Sequence, residues 1–232
     1  MIPYSDGIQA RRFPWVNVAL IAANFAVFVF YELPDPEAAI NQASFYPCNV
    51  DNACHMGYPW GVSWITAMFL HAGWDHILGN MWFLAIFGKN VEDAFGKLGY
   101  LVFYFAGGFA AMFLQTAMTL LFGSASDGQI PTLGASGAIA AVLGAYFVLH
   151  PNSSILTLVA WFPVRIPAWL YLGGWFLYQF FEGNSALIAA KNGGSGVAFF
   201  AHVGGFVFGA LVTGLLVSTG QVTARRPQWD ET

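Results

Sequence analysis

From Ala198 to Ser218 the chain reads AFFAHVGGFVFGALVTGLLVS, an unbroken apolar run whose one ionisable side chain is His202. A helix needs about 20 such residues to cross the hydrocarbon of a bilayer, so this stretch points to a membrane protein. Working outward, similar runs occupy about 14–31, 75–93, 99–122, 136–149 and 166–182, separated by segments rich in Gly, Pro, Asn and Ser. Composition agrees: 8 Lys and Arg and 12 Asp and Glu in 232 residues make the chain 9% charged, against about a quarter for a soluble protein. Hydrophobic residues make up 57%, more apolar surface than a single core of this size can hide from water. The remainder must face lipid. A net charge of -4 without a basic run excludes a nucleic-acid footprint, and 2 Cys exclude a disulfide scaffold. The expected fold class is an all-α membrane protein, a six-transmembrane-helix bundle forming one membrane domain over residues 1–232.

Six spans place both termini on one side. Arg11, Arg12, Lys89, Lys97, Arg165, Arg225 and Arg226 then gather on that side, and Lys191 falls on the other. By the positive-inside rule the termini are expected in the cytoplasm, with a bacterial inner (plasma) membrane as the setting. The outer loop 32–74 and the loops 123–135 and 183–197 face outward. The first run has the basic flank of a signal peptide, but no small-x-small cleavage site follows it and further spans do, so it reads as a retained helix. The apolar stretch 154–162 precedes Pro163 and Pro167, which leaves it either an interfacial segment or the start of the fifth span. Cys48, Cys54 and His55 match no standard zinc spacing, and no metal is expected. A short-range disulfide is favoured for the two cysteines in an oxidising compartment, and two free thiols stay open. Asn17 and Asn24 share a face of the first span as packing glue, and His150 before Pro151 reads as an interfacial helix end. Trp60, Trp64, Trp74, Trp161, Trp169 and Trp175 read as interface anchors.

Polar side chains inside spans cost free energy unless they face a cavity or a partner, which makes them functional candidates. His76 and Asn80 lie four residues apart and so share one face of the second span. Taken singly, each reads more readily as interhelical glue. Ser136 opens the fourth span within Gly134-Ala135-Ser136-Gly137, where the first amides of a helix lack intrahelical partners and can donate to a developing oxyanion. The competing reading is a small-residue packing helix with a serine at its start. His202 shares a stripe with Gly205 and Gly209 on the sixth span, where the two glycines remove bulk beneath the imidazole. Ser136 and His202 are each within about a turn of an outward loop, so they meet if spans four and six pack together. A histidine within hydrogen-bond reach would take the serine proton and make it a nucleophile. Neither span carries an Asp or Glu, so a Ser-His dyad is expected rather than a triad.

His71-Ala-Gly-Trp-Asp-His76-Ile-Leu-Gly-Asn80, Gly134-Ala-Ser136-Gly137 and Ala201-His202-x-x-Gly205-x-x-x-Gly209 together resemble the three signature blocks of rhomboid intramembrane serine proteases, in order on spans two, four and six. The resemblance implies Ser136 as nucleophile and His202 as general base. It implies His76, Asn80 and the Ser136 backbone N–H as oxyanion donors, flanked by Gly134 and Gly137. A water-accessible cavity open to the outside, a transmembrane protein substrate within the lipid bilayer and no cofactor are implied as well. His71 takes a supporting, loop-organising role, as do Gly205 and Gly209 by packing. The chain departs from the pattern twice. Rhomboids often carry a Trp-Arg pair in the first outer loop, where Trp60-Gly-Val-Ser-Trp64 has no Arg; some carry an aromatic four residues after the nucleophile, where this chain has Ala140. What orients His202 is therefore open. A catalytically silent rhomboid-like protein that binds membrane clients is the alternative, although such a protein has no need of both Ser136 and His202. A transporter or channel lined by His76, Asn80 and His202 is a third class. No span carries a polar stripe through its full depth, and no internal repeat supports it.

Overall fold

The computed structural model describes residues 2–160, 162–190 and 199–223, and the side chains of all of these but 183–190. Trp161, Lys191, Ala198, Arg225 and Arg226, used above for anchoring, orientation and a span boundary, lie outside the described residues. A short strand, β1 (Ile2–Ser5), precedes helix α1 (Trp15–Val27), which continues through a π-helical turn, Phe28–Glu32. The segment beyond it holds α2 (Pro36–Ala43) and α3 (Trp60–Thr66). Helix α4 (Trp74–Phe83) passes through a second π-helical turn, Leu84–Gly88, into α5 (Lys89–Phe95), and α6 (Lys97–Phe122) follows. After α7 (Ser136–Leu149) come strands β2 (Ser154–Val159) and β3 (Phe162–Pro167), then α8 (Ala168–Ala190) and α9 (Phe199–Ser218). Among the described residues, three helices are long and apolar enough to cross a membrane: Trp15–Glu32, Lys97–Phe122 and Phe199–Ser218.

Helix α7 is apolar on all sides and buried on nearly all of them, which is the pattern of a helix enclosed by others. It packs most closely against α9. A Cβ at Gly205 would run into the Gly137 carbonyl, one at Gly209 into the Ala141 carbonyl, and one at Gly144 into the Phe206 carbonyl. With no side chain at these three positions, the two backbones touch, and dispersion contacts substitute for the hydrophobic driving force that lipid cannot supply. On the other flank of α9, a Cβ at Gly204 would lie 2.8 Å from Leu114 Cβ of α6.

Polar side chains hold the first helix. Pro14 gives α1 no capping side chain; instead the Val16 and Asn17 amides donate to Glu92 Oε1 and Oε2 at 3.1 and 2.7 Å. Asn17 Nδ2 donates to the Leu84 carbonyl at 3.0 Å, within the π-helical turn, and Asn17 Oδ1 accepts from Tyr100 O–H at 2.7 Å. This is the glue expected of Asn17, whereas Asn24 Nδ2 bonds to Leu20 O in its own helix at 2.8 Å.

The all-α expectation is corrected by a three-stranded antiparallel sheet, in the order β1-β2-β3. Residues 154–159 and 162–167 pair as a hairpin and do not start the next span, so α8 begins at Ala168 and not at 166. The reason is local. Pro163 and Pro167 lack amide hydrogens, and Ile155, Thr157, Val159, Val164 and Ile166 are β-branched residues in alternation. Asp6, fully buried, accepts from Asn90 Nδ2 and pairs with Lys89 Nζ at 3.0 Å, tying the chain after β1 to α5.

Outside the long helices, Cys48 and Cys54 form a disulfide, which closes the alternative left open above. Asn49 braces the same loop, donating from Nδ2 to Met56 O at 2.6 Å and accepting from Met56 N–H at 3.0 Å. Phe45 and Thr132 exchange backbone hydrogen bonds at 3.0 and 2.8 Å, and Gly134 N–H donates to Ala67 O at 2.8 Å. The segment after α1 thereby pins the strand of chain that leads into α7.

Candidate active site

Gly134 turns the chain into α7 with φ +120°, a conformation that L side chains rarely adopt, and a Cβ there would lie 2.9 Å from both Cε1 and Nε2 of His76. Glycine is thus required twice over, for backbone angle and for close approach. Two residues later Ser136 begins the helix, with its amide in the position that has no intrahelical acceptor.

The structure brings Ser136 and His202 together. His202 Nε2 lies 2.8 Å from Ser136 Oγ, and His202 Nδ1 lies 2.7 Å from Gln179 Oε1 of α8. An amide oxygen can only accept, so Nδ1 carries the ring proton and the bare Nε2 accepts from the serine hydroxyl. The start of α9 is held by Gln115, whose Oε1 accepts from Ala201 N–H at 3.2 Å. Trp175, read above as an interface anchor, lies beside His202 with ring centroids 5.8 Å apart and planes at 42°.

His76 and Asn80 both lie on α4, and the His76 ring approaches Gly134, two residues before Ser136. His76 Nδ1 accepts from Ala72 N–H at 3.2 Å, which leaves the neutral ring's proton on Nε2, the atom that faces Gly134. Asn80 Nδ2 is buried without a hydrogen-bond partner. Donors left unpaired in this way can be satisfied by an oxyanion. A cavity of about 20 Å³, lined by Met68, Met112, Thr132, Gly134, Ser136 and Ala201 among others, has room for roughly one water.

His71 lies behind His76, with ring centroids 5.0 Å apart and planes at 68°. Its backbone N–H donates to Glu32 Oε1 at 2.8 Å and its Nδ1 to Phe69 O at 3.2 Å. Burial first, and the neighbouring His76 second, push the His71 imidazole down to about 4. It is positioned to organise the turn before α4, and its contacts are with His76, Phe69 and Glu32. Gly205 and Gly209 serve the close approach of α7 and α9 described above.

Sequence reasoning missed Gln179 and the contact of Trp175 with His202. A signal existed for the first, since Gln179 is a strongly polar residue within an apolar run and meets the criterion that singled out Asn80. Nothing in the order of residues gives Trp175 this neighbour.

Residues 59–219 match the family model described as the Rhomboid domain. The chain is 29% identical over 204 residues to RHOMBOID-like protein 12, mitochondrial, of Arabidopsis thaliana, covering 80% of this chain and 57% of that one. It is 31% identical over 165 residues to Rhomboid-like protein 11, chloroplastic, of the same plant, with 68% and 54% covered. With Rhomboid protein 1, mitochondrial, of Saccharomyces cerevisiae it shares 30% over 193 residues, with 83% and 51% covered. The chain therefore spans about half the length of the curated relatives it matches. These relatives, mitochondrial and chloroplastic proteins by name, overturn the expectation of a bacterial plasma membrane with cytoplasmic termini. The physical reason is that loop charges orient helices relative to one side of a bilayer and carry no information on which bilayer it is.

Proposed function

The chain belongs to the rhomboid family, and from that premise we propose that it is an intramembrane serine endopeptidase that cuts the transmembrane segments of membrane-anchored proteins near the leaflet opposite its termini. The observation that carries the reading is the 2.8 Å contact between Ser136 Oγ and His202 Nε2. On this reading α1, α4 with α5, α6, α7, α8 and α9 are six spans of one membrane domain, and Ser136 lies at the shallow end of its span.

The chemistry follows from the atoms in place. His202 Nε2 takes the hydroxyl proton as Ser136 Oγ attacks the scissile carbonyl carbon, and the carbonyl oxygen becomes an oxyanion. His76 Nε2–H, Asn80 Nδ2–H and the Ser136 amide are the donors for that charge, and preorganised donors of this kind act mainly in the transition state. The His202 imidazolium then returns its proton to the leaving amine, and water hydrolyses the acyl-serine by the same route in reverse. A carbonyl in a regular helix is already hydrogen-bonded and shielded, so the substrate must open near the cut, which favours segments weakened by Gly or Pro.

Incubation of the purified protein with a fluorophosphonate, followed by peptide mass spectrometry, tests this reading. Modification on Ser136, lost in His202→Ala, is expected. A protein that stays unlabelled while binding membrane clients would instead be the catalytically silent rhomboid-like alternative.

A further inference from the structure

Neither α7 nor α9 contains an Asp or Glu, and Ala140, one turn beyond Ser136, offers only a methyl group where an aromatic could have held the imidazole. His202 therefore needs another group to set its tautomer and its angle. We infer that Gln179 is the positioning residue for His202, a neutral amide that holds the ring proton on Nδ1 and aims the lone pair of Nε2 at Ser136. The inference rests on the reading of Ser136 and His202 as nucleophile and base, and it deepens that reading by giving the pair a third member from a separate helix.

Gln179 is 7% exposed, so its oxygen has little water to compete for it, and it sits 2.7 Å from His202 Nδ1. Four residues earlier on the same face of α8, the Trp175 ring borders His202 at 5.8 Å. One face of α8 thus supplies a hydrogen bond to the edge of the imidazole and an apolar wall beside it. With the proton on Nε2 instead, the Nδ1 lone pair would face the amide oxygen lone pairs, and Nε2–H would point at Ser136 Oγ with no base left to receive the serine proton. With its oxygen, and not its NH2, turned toward Nδ1, as in this structure, the amide disfavours that tautomer. An amide also suits its location, because an ionised carboxylate within a span carries a larger desolvation cost than a neutral group. The aspartate of a soluble triad both orients the histidine and stabilises its cation; the amide retains the first task.

The test compares Gln179→Met, close in shape but without the acceptor, with Gln179→Glu, which keeps an oxygen there whether charged or protonated. The probe is a fluorophosphonate: the Ser136 Oγ–P bond forms, the P–F bond breaks, fluoride leaves, and the serine proton passes to His202. In Gln179→Met we expect labelling at least about ten-fold slower, short of the ~10⁴-fold cost of a locked wrong tautomer in a soluble triad, since both tautomers remain populated. Gln179→Glu should restore most of the rate. Histidine-selective ¹⁵N NMR, assigned with His202→Ala, should show protonated Nδ1 and bare Nε2 in the unsubstituted protein and in Gln179→Glu, and a mixture in Gln179→Met. Melting temperatures should stay alike. An unchanged labelling rate or an unchanged tautomer in Gln179→Met overturns the inference, as does Gln179→Glu labelling no faster than Gln179→Met. The NMR measurement needs no activity, so a protein that fails to label at Ser136 sinks the protease reading separately from the role of Gln179.

Discussion

The Asn80 side-chain amide and the His76 imidazole differ in what they already hold. His76 is fixed by Ala72 N–H on Nδ1, whereas Asn80 Nδ2 is buried with no partner. A donor without a ground-state partner has little to lose when removed and much to contribute when an oxyanion forms. Asn80→Ala should therefore lower kcat by about 10²- to 10³-fold, the range for one oxyanion donor in a soluble protease, with KM and melting temperature little changed. An unchanged kcat would return Asn80 to a packing role. His71 behaves differently because it is held neutral. Its imidazole lies at about 4 in the folded chain against an ordinary 6.5. Between those values the unfolded chain binds the proton and the folded chain does not, so stability rises with pH across that window. Its contribution is intact above about pH 6.5 and is lost as pH falls toward 4. In thermal melts from pH 7 to pH 5, the midpoint of the unsubstituted chain should drop relative to that of His71→Asn, which lacks this proton site. Equal slopes would mean that His71 does not carry this proton linkage.

Elements are joined here by what their sequences leave out. On α9, Gly209 meets the Ala141 carbonyl of α7, whereas Gly214 on the same helix has no neighbouring atom within 4 Å of where a Cβ would be. Gly209→Leu should force the helices apart at a cost of about 1–3 kcal/mol or more, and with them the serine and the histidine, so that fluorophosphonate labelling falls sharply. Gly214→Leu should leave melting and labelling near their starting values. Similar losses in both would show that helix propensity, not interhelical approach, sets the effect. The same scale accounts for the hairpin. Alternating β-branched residues around Pro163 and Pro167 were visible in residues 154–167, yet the strand that completes the sheet is Ile2–Ser5, far away in the chain. No local pattern encodes that pairing.

For the whole molecule, the arrangement that places Ser136 near the leaflet opposite the termini depends on the six-span reading. Reporters fused at Trp60 and at the carboxyl end should give opposite signals, because the first lies beyond one span and the second beyond all six. Matching signals would overturn the span count and the depth of Ser136 together. What the residues by themselves determined is that this chain lives in a membrane, where its apolar runs lie, and which polar groups sit within them. Transfer of apolar side chains out of water is a local and roughly additive quantity, so a window of about 20 residues suffices to read it. His76, Asn80, Ser136 and His202 were legible for the same reason, as costly groups within such windows, and the family resemblance then grouped them. Tertiary structure alone decided that Gln179 and Trp175 of α8 face His202, that Asn80 Nδ2 is left without a partner, and that β1 closes a sheet with β2 and β3. Those outcomes depend on how helices are rotated and spaced about α7, which is set by contacts between residues distant in the chain, and no local window contains both partners of such a contact.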